Sequence, residues 1–163
     1  MNMFAINSDA CVQAWREFIG RFPMQWFCTF TFTESVHPER AAKLFRLFIR
    51  RLNRALYGSH FERKGLSGVF WVLAWEYQER GVLHFHALIG DVEDLNVRAR
   101  RLTWMDQWLA FGRPAGFARI EAIDSQDAVR DYVTKYVTDG GQIDLSASLR
   151  SFAQQQALSS PAR

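Results

Sequence analysis

Two β-rich runs, Gly68 to Tyr77 and Val82 to Ile89, are separated by only a few residues, and this spacing constrains the fold more than any other feature. So short a link forces the two runs to pair antiparallel. The loop Glu79-Arg80-Gly81 has the length of a three-residue hairpin whose third position requires a left-handed backbone, and a glycine stands there. In that register Gln78 faces Val82 and Glu76 lies opposite His84, with His86 as the diagonal neighbour on the same face. The other face carries Trp71, Leu73 and Trp75 with Leu83, Phe85, Ala87 and Ile89, all apolar. One side of the hairpin is therefore core, and the other gathers a carboxylate and two imidazoles.

The rest of the chain supplies more strands and the helices to cover them. Trp26 to Thr33 alternates threonine with aromatic residues, the period-2 signature of a strand with one buried face. Pro38 opens a helix to about Leu56, where a missing N–H in the first turn has no consequence. Its apolar positions Ala41, Leu44, Phe45, Phe48, Leu52 and Ala55 are expected to face the core. Lys43, Arg46, Arg50 and Arg54 form a basic stripe on the opposite side, either a solvated face or a contact for a phosphate backbone. Ala10 to Phe22, Asn96 to Phe111 and Ser125 to Thr138 read as helices, and Phe117 to Ile123 as a strand. The order implies an α+β sandwich, an antiparallel sheet with helices on its faces. Four strands are clear. The domain is expected to span residues 1–145, with the Ser-, Ala- and Gln-rich stretch 146–163 fraying as a flexible tail.

Glu76, His84 and His86 are three metal-competent groups brought together without any long-range assumption. Two imidazoles and one carboxylate leave coordination positions open for substrate and water, and mixed N/O ligation suits Mn²⁺ or Mg²⁺ acting as a Lewis acid. Glu79 is the alternative carboxylate, but it falls in the turn. His37 and His60 have no comparable partners. Further on, Tyr132 and Tyr136 stand four apart on one helical face with Lys135 beside them, while Val129, Val133 and Val137 line a neighbouring face. A phenol with an ordinary pKa of about 10 is a weak nucleophile unless a cation or metal assists it.

Composition narrows the context. The chain of 163 residues is 48% hydrophobic and 15% aromatic, the make-up of one folded domain with a sizeable core. Its net charge of +3 permits a nucleic-acid partner without demanding one. Cys11 and Cys28 fall in no CxxC or Cys/His spacing, which argues against a disulfide scaffold or a zinc finger. No apolar run approaches the roughly 20 residues needed to cross a bilayer. Residues 1–9 lack the charged-then-apolar pattern of a secretory signal, so a cytoplasmic location is expected.

Taken together, these segments resemble the HUH endonuclease superfamily, in particular its replication-initiator branch. Phe27-Cys28-Thr29-Phe30-Thr31-Phe32 is similar to that family's first motif, His84-Phe85-His86 to its His-hydrophobe-His motif, and Tyr132-Val133-Thr134-Lys135 to its Tyr-x-x-Lys motif. All occur in family order between about residues 26 and 139, and Glu76 lies where relatives carry a third metal ligand. The resemblance implies a five-stranded antiparallel sheet flanked by helices, which places a fifth strand near residues 1–8 or 141–145. It also implies a tyrosine that attacks a phosphate in single-stranded DNA or an origin hairpin, leaving a 5′-phosphotyrosine and a free 3′-OH that can prime rolling-circle replication. Tyr132 is the expected nucleophile; relatives that use the residue after the lysine, or both tyrosines in turn, point to Tyr136. Lys135 is expected to steady the phosphate or phenolate, and Arg46, Arg50, Arg54, Thr29 and Thr31 to contact DNA. No Gly-x-x-x-x-Gly-Lys-[Ser/Thr] phosphate loop occurs, so a helicase is expected from the host or from a further part of a longer protein, alongside a polymerase. A single-tyrosine transposase of the same superfamily and a non-catalytic nucleic-acid-binding module are the competing readings.

Overall fold

Alternation along the Thr/aromatic segment decides which side of the sheet each residue joins. In the computed structural model, which describes residues 9–138, 141–151 and 154, this segment is β1 (Met24–Phe32). Trp26, Cys28, Phe30 and Phe32 turn into one apolar core, whereas Phe27 and Thr29 turn to the opposite face. The hairpin forms β2 (Phe70–Tyr77) and β3 (Leu83–Gly90), with β4 (Ala115–Ala122) and β5 (Gln142–Leu145) completing an antiparallel sheet of order β4-β1-β3-β2-β5. Of the two places expected for a fifth strand, 141–145 holds it, and residues 1–8 lie outside the described ones.

Helices cover both faces. α2 (Pro38–Tyr57) presents Phe45, Phe48 and Leu52 to the first core, where they meet Phe30, Phe85 and Trp108. Burying aromatic side chains of this size contributes about 1.5–3 kcal/mol each. Ala55, expected to point inward, is exposed near the helix end. On the other face α1 (Asp9–Ile19) and α5 (Gln126–Thr138) form a second core from Ile19, Val72, Leu88, Val129, Val133 and Val137.

Where a single helix is expected over Asn96 to Phe111, two occur, α3 (Leu95–Arg98) and α4 (Arg101–Leu109), divided by Ala99 in an extended conformation at φ −139, ψ 134. The reason is phase. Leu95 and Trp104 are both buried, yet in one continuous helix residues nine apart point about 180° away from each other. The break lets both reach the core. Of the stretch expected to fray, residues 152–153 and 155–163 lie outside the described ones. Within 146–163 residues 147–151 are helical, Leu149 is fully buried in the second core, and Ser146 N donates to Trp71 O at 3.0 Å. Among the described residues no helix is long and apolar enough to cross a membrane.

Candidate active site between the central hairpin and the tyrosine helix

The hairpin register is the one its loop length dictates. Glu76 pairs with His84 and Ala74 with His86, Gln78 N donates to Val82 O at 3.0 Å, and Gly81 takes φ +73. Gly81 is needed there because a side chain at that φ is strained. The polar face of the hairpin lies under α5.

His86 is the centre of the site. Its Nδ1 shares a 3.2 Å hydrogen bond with Thr29 Oγ1 from the neighbouring strand, and its Nε2 lies 2.6 Å from Glu76 Oε2. That second contact is too poorly aligned to be a hydrogen bond, so a buried ring nitrogen faces a carboxylate without one. The ring stacks with Phe27, at 6.2 Å and 11°, and with Tyr136, at 5.1 Å and 22°. His84 is more open, and its Nδ1 shares a 3.1 Å bond with Gln78 Nε2. Burial lowers the pKa of both histidines below the usual imidazole value, against the opposing pull of the Glu76 charge, so both are neutral at pH 7.

Glu76 and His86, the two donors in contact, suit a divalent cation in three respects. The imidazoles are held neutral, as ligation requires. Nε2 of His86 and the carboxylate of Glu76 converge with no hydrogen bond to satisfy the nitrogen. Thr29 fixes the ring from behind, the way an outer partner orients a ligating histidine. Among the described residues, however, no three His, Cys, Asp or Glu side chains are gathered into a metal-holding group. Glu76 and His86 are in contact, and His84 is engaged with Gln78.

α5 begins with Ser125 Oγ accepting from Ala128 N at 3.4 Å and is anchored by Val129, Val133 and Val137. Both tyrosines face the sheet, their rings 4.8 Å apart. Both are buried, each 5% exposed. The Tyr132 hydroxyl donates to His86 O at 2.6 Å, and burial, reinforced by Tyr136, raises its pKa well above the ordinary phenol value. Tyr136 lies against the His86 ring, with Lys135 Nζ 4.9 Å from its own ring centre and 3.7 Å from Glu76 Oε1. A cleft of about 510 Å³ lined by Phe27, Glu121, Asp131, Tyr132, Lys135 and Tyr136 opens beside them.

The other expected contact residues fall elsewhere. Arg46, Arg50 and Arg54 are exposed on α2, across the sheet from His86 and the tyrosines. Thr29 and Thr31 do lie on the site face, but their hydroxyls are spent within the protein. Thr29 bonds His86, and Thr31, 4% exposed, bonds both N and O of Phe117 at 2.9 Å. His37 caps α2 through Glu39 N. Sequence reasoning missed Gln78 and Phe27 as partners of the histidines. Gln78 was within reach, since it shares the face of Glu76 two residues on.

A family model described as Replication-associated protein ORF2 matches residues 25–141, which take in every residue of the site. None of the curated proteins searched matches the chain.

Proposed function

The chain belongs to the Replication-associated protein ORF2 family, and on that premise we propose that it nicks and rejoins single-stranded DNA through a tyrosine–phosphate intermediate, starting rolling-circle replication. The observation that carries this reading is the stacking of Tyr136 on His86, beside Glu76 and Lys135. A potential nucleophile, a cation and metal-competent donors share one small region of the sheet face.

In the proposed reaction a phenol on α5 loses its proton as its oxygen bonds to the scissile phosphorus. The bond from phosphorus to the 3′ oxygen breaks, and that oxygen takes up a proton and leaves as a 3′-OH. The 5′ phosphate remains esterified to tyrosine, so attack by a 3′-OH reverses the step and joins strands. Glu76, His84 and His86 would hold a divalent cation, Mn²⁺ or Mg²⁺, which when bound polarises the phosphodiester. Thr29 keeps the His86 ring in place, and Lys135 supplies positive charge next to the attacked phosphate.

Tyr132 is the nucleophile the motif suggests, whereas the packing favours Tyr136 for the first attack. The Tyr136 ring lies against His86 and under the Lys135 ammonium, which is itself close to Glu76, while the Tyr132 hydroxyl donates to the His86 main-chain carbonyl. Tyr132, four residues away on the same face, is then available for a second transfer. The substrate is a single strand or extruded origin hairpin, with a helicase and polymerase acting alongside.

The test is incubation with Mn²⁺ and a diverse pool of single-stranded oligonucleotides, scored for an SDS-resistant protein–DNA adduct. An adduct is expected with the metal and not with a chelator. His86→Ala is expected to lower its yield by about 100-fold or more, and Tyr136→Phe to lose more than Tyr132→Phe. No adduct from any oligonucleotide in the pool would sink the proposal.

A further inference from the structure

The sheet face that carries His86 is covered on only part of its width. α5 packs over β2, β3 and Phe27 of β1, whereas the edge strand β4 presents Phe117 and Arg119 to solvent on that same face. Their side is fixed by alternation, because Ala118 and Ile120 between and beyond them enter the opposite core. Phe117 is 62% exposed, an unusual position for a large aromatic ring in the middle of a strand.

The exposed ring is also held firmly. The Thr31 hydroxyl bonds both the N–H and the carbonyl of Phe117, and a Cβ on the preceding Gly116 would come within 2.5 Å of that hydroxyl. The sequence thus sets a glycine and a buried threonine around one phenylalanine whose ring meets water. Registry connects it to the site, since Arg119 pairs with Thr29 and Thr29 with His86 in one row across three strands. With strands about 4.8 Å apart and residues about 3.4 Å apart along each, Phe117 stands roughly 12 Å from His86. A DNA strand covers that distance in a few nucleotides, at about 3.4 Å or more each. Arg119 is paired with Glu121 at 2.8 Å, but an ion pair this exposed is weak and exchanges readily for a phosphate.

We propose that Phe117 is a stacking platform for an unpaired base of the DNA strand, a few nucleotides from the phosphate under attack, with Arg119 contacting the phosphate between. The proposal rests on the nicking function given above for the strand's path. Stacking on an aromatic ring needs no particular base, because every base has a π face.

Fluorescence anisotropy with a short labelled oligothymidylate tests it, in chelator so that binding is read without cutting. Phe117→Ala is expected to weaken binding by about 5- to 150-fold, Phe117→Trp to keep it, and Arg119→Gln to weaken it less while reducing its salt dependence. Equal binding by wild type and Phe117→Ala overturns the platform and leaves the nuclease reading standing. Loss of binding in Phe117→Ala from a protein that never forms an adduct supports the platform and refutes nicking. A wild-type protein that does not bind the oligomer, or a Phe117→Ala change seen only in self-association, overturns the platform.

Discussion

Tyr132 and Tyr57 are phenols that the fold keeps protonated, both chiefly through burial. Tyr132 is buried beside Tyr136 with its hydroxyl on His86 O. Tyr57 is pushed up to about 12, first by burial and then by its bond to Asp91. A group whose folded pKa lies above its unfolded value contributes stability that is complete below the unfolded pKa, about 10 for tyrosine, and is lost as pH rises through the folded one. The protein is therefore expected to lose stability progressively above about pH 10. Absorbance titration should show a late-ionising component to which Tyr57 and Tyr132 contribute, and Tyr132→Phe should reduce it. If Tyr132→Phe leaves the late component intact, the buried position of that hydroxyl is wrong.

At the scale of elements, Asp91 just beyond β3 ties three parts of the fold together. It is fully buried and accepts hydrogen bonds from Tyr57 at the end of α2, from Val92 N at 2.7 Å, and from Arg98 at the end of α3 at 2.6 Å. Arg98 also donates to Leu56 O at 2.9 Å. Arg98→Ala leaves the carboxylate buried without its cation and is expected to cost about 2–4 kcal/mol, somewhat under a fully buried pair because the arginine keeps some water. Urea unfolding measures this, and a loss below about 0.5 kcal/mol would show that the clamp is dispensable. Elements differ in how readable they are. The hairpin is legible because its loop length and alternation act over neighbouring residues, and they bring Glu76 opposite His84 as expected. The α3–α4 break is not, since hydrophobic count alone hides that Leu95 and Trp104 lie on opposite sides of one helix. Nor is Leu149, an apolar anchor in a Ser-rich stretch. The bonds of Thr29 to His86 and of Thr31 to Phe117 join residues 57 and 86 apart, and alternation gives their face without their partners.

For the whole molecule, the family match ends short of two pieces that hold the tyrosine helix in place. α1 lies before residue 25 and Leu149 after residue 141, yet both close the second core against α5. Arg16 of α1 donates from Nε to Thr134 Oγ1 at 2.8 Å, on the helix that carries Tyr132 and Tyr136. The exposed arginines of α2 sit across the sheet from Tyr132, Tyr136 and His86. The claim on which this account turns is a covalent bond between α5 and DNA. Trypsin separates the two candidates, because cleavage after Arg130, Lys135 and Arg150 puts Tyr132 in peptide 131–135 and Tyr136 in peptide 136–150. Mass spectrometry of the trapped, nuclease-digested adduct is predicted to find a nucleotide 5′-phosphate on peptide 136–150 after the first cut, with peptide 131–135 modified when a second transfer follows. A nucleotide on neither peptide, or strand breaks with no protein-bound DNA at all, would contradict it.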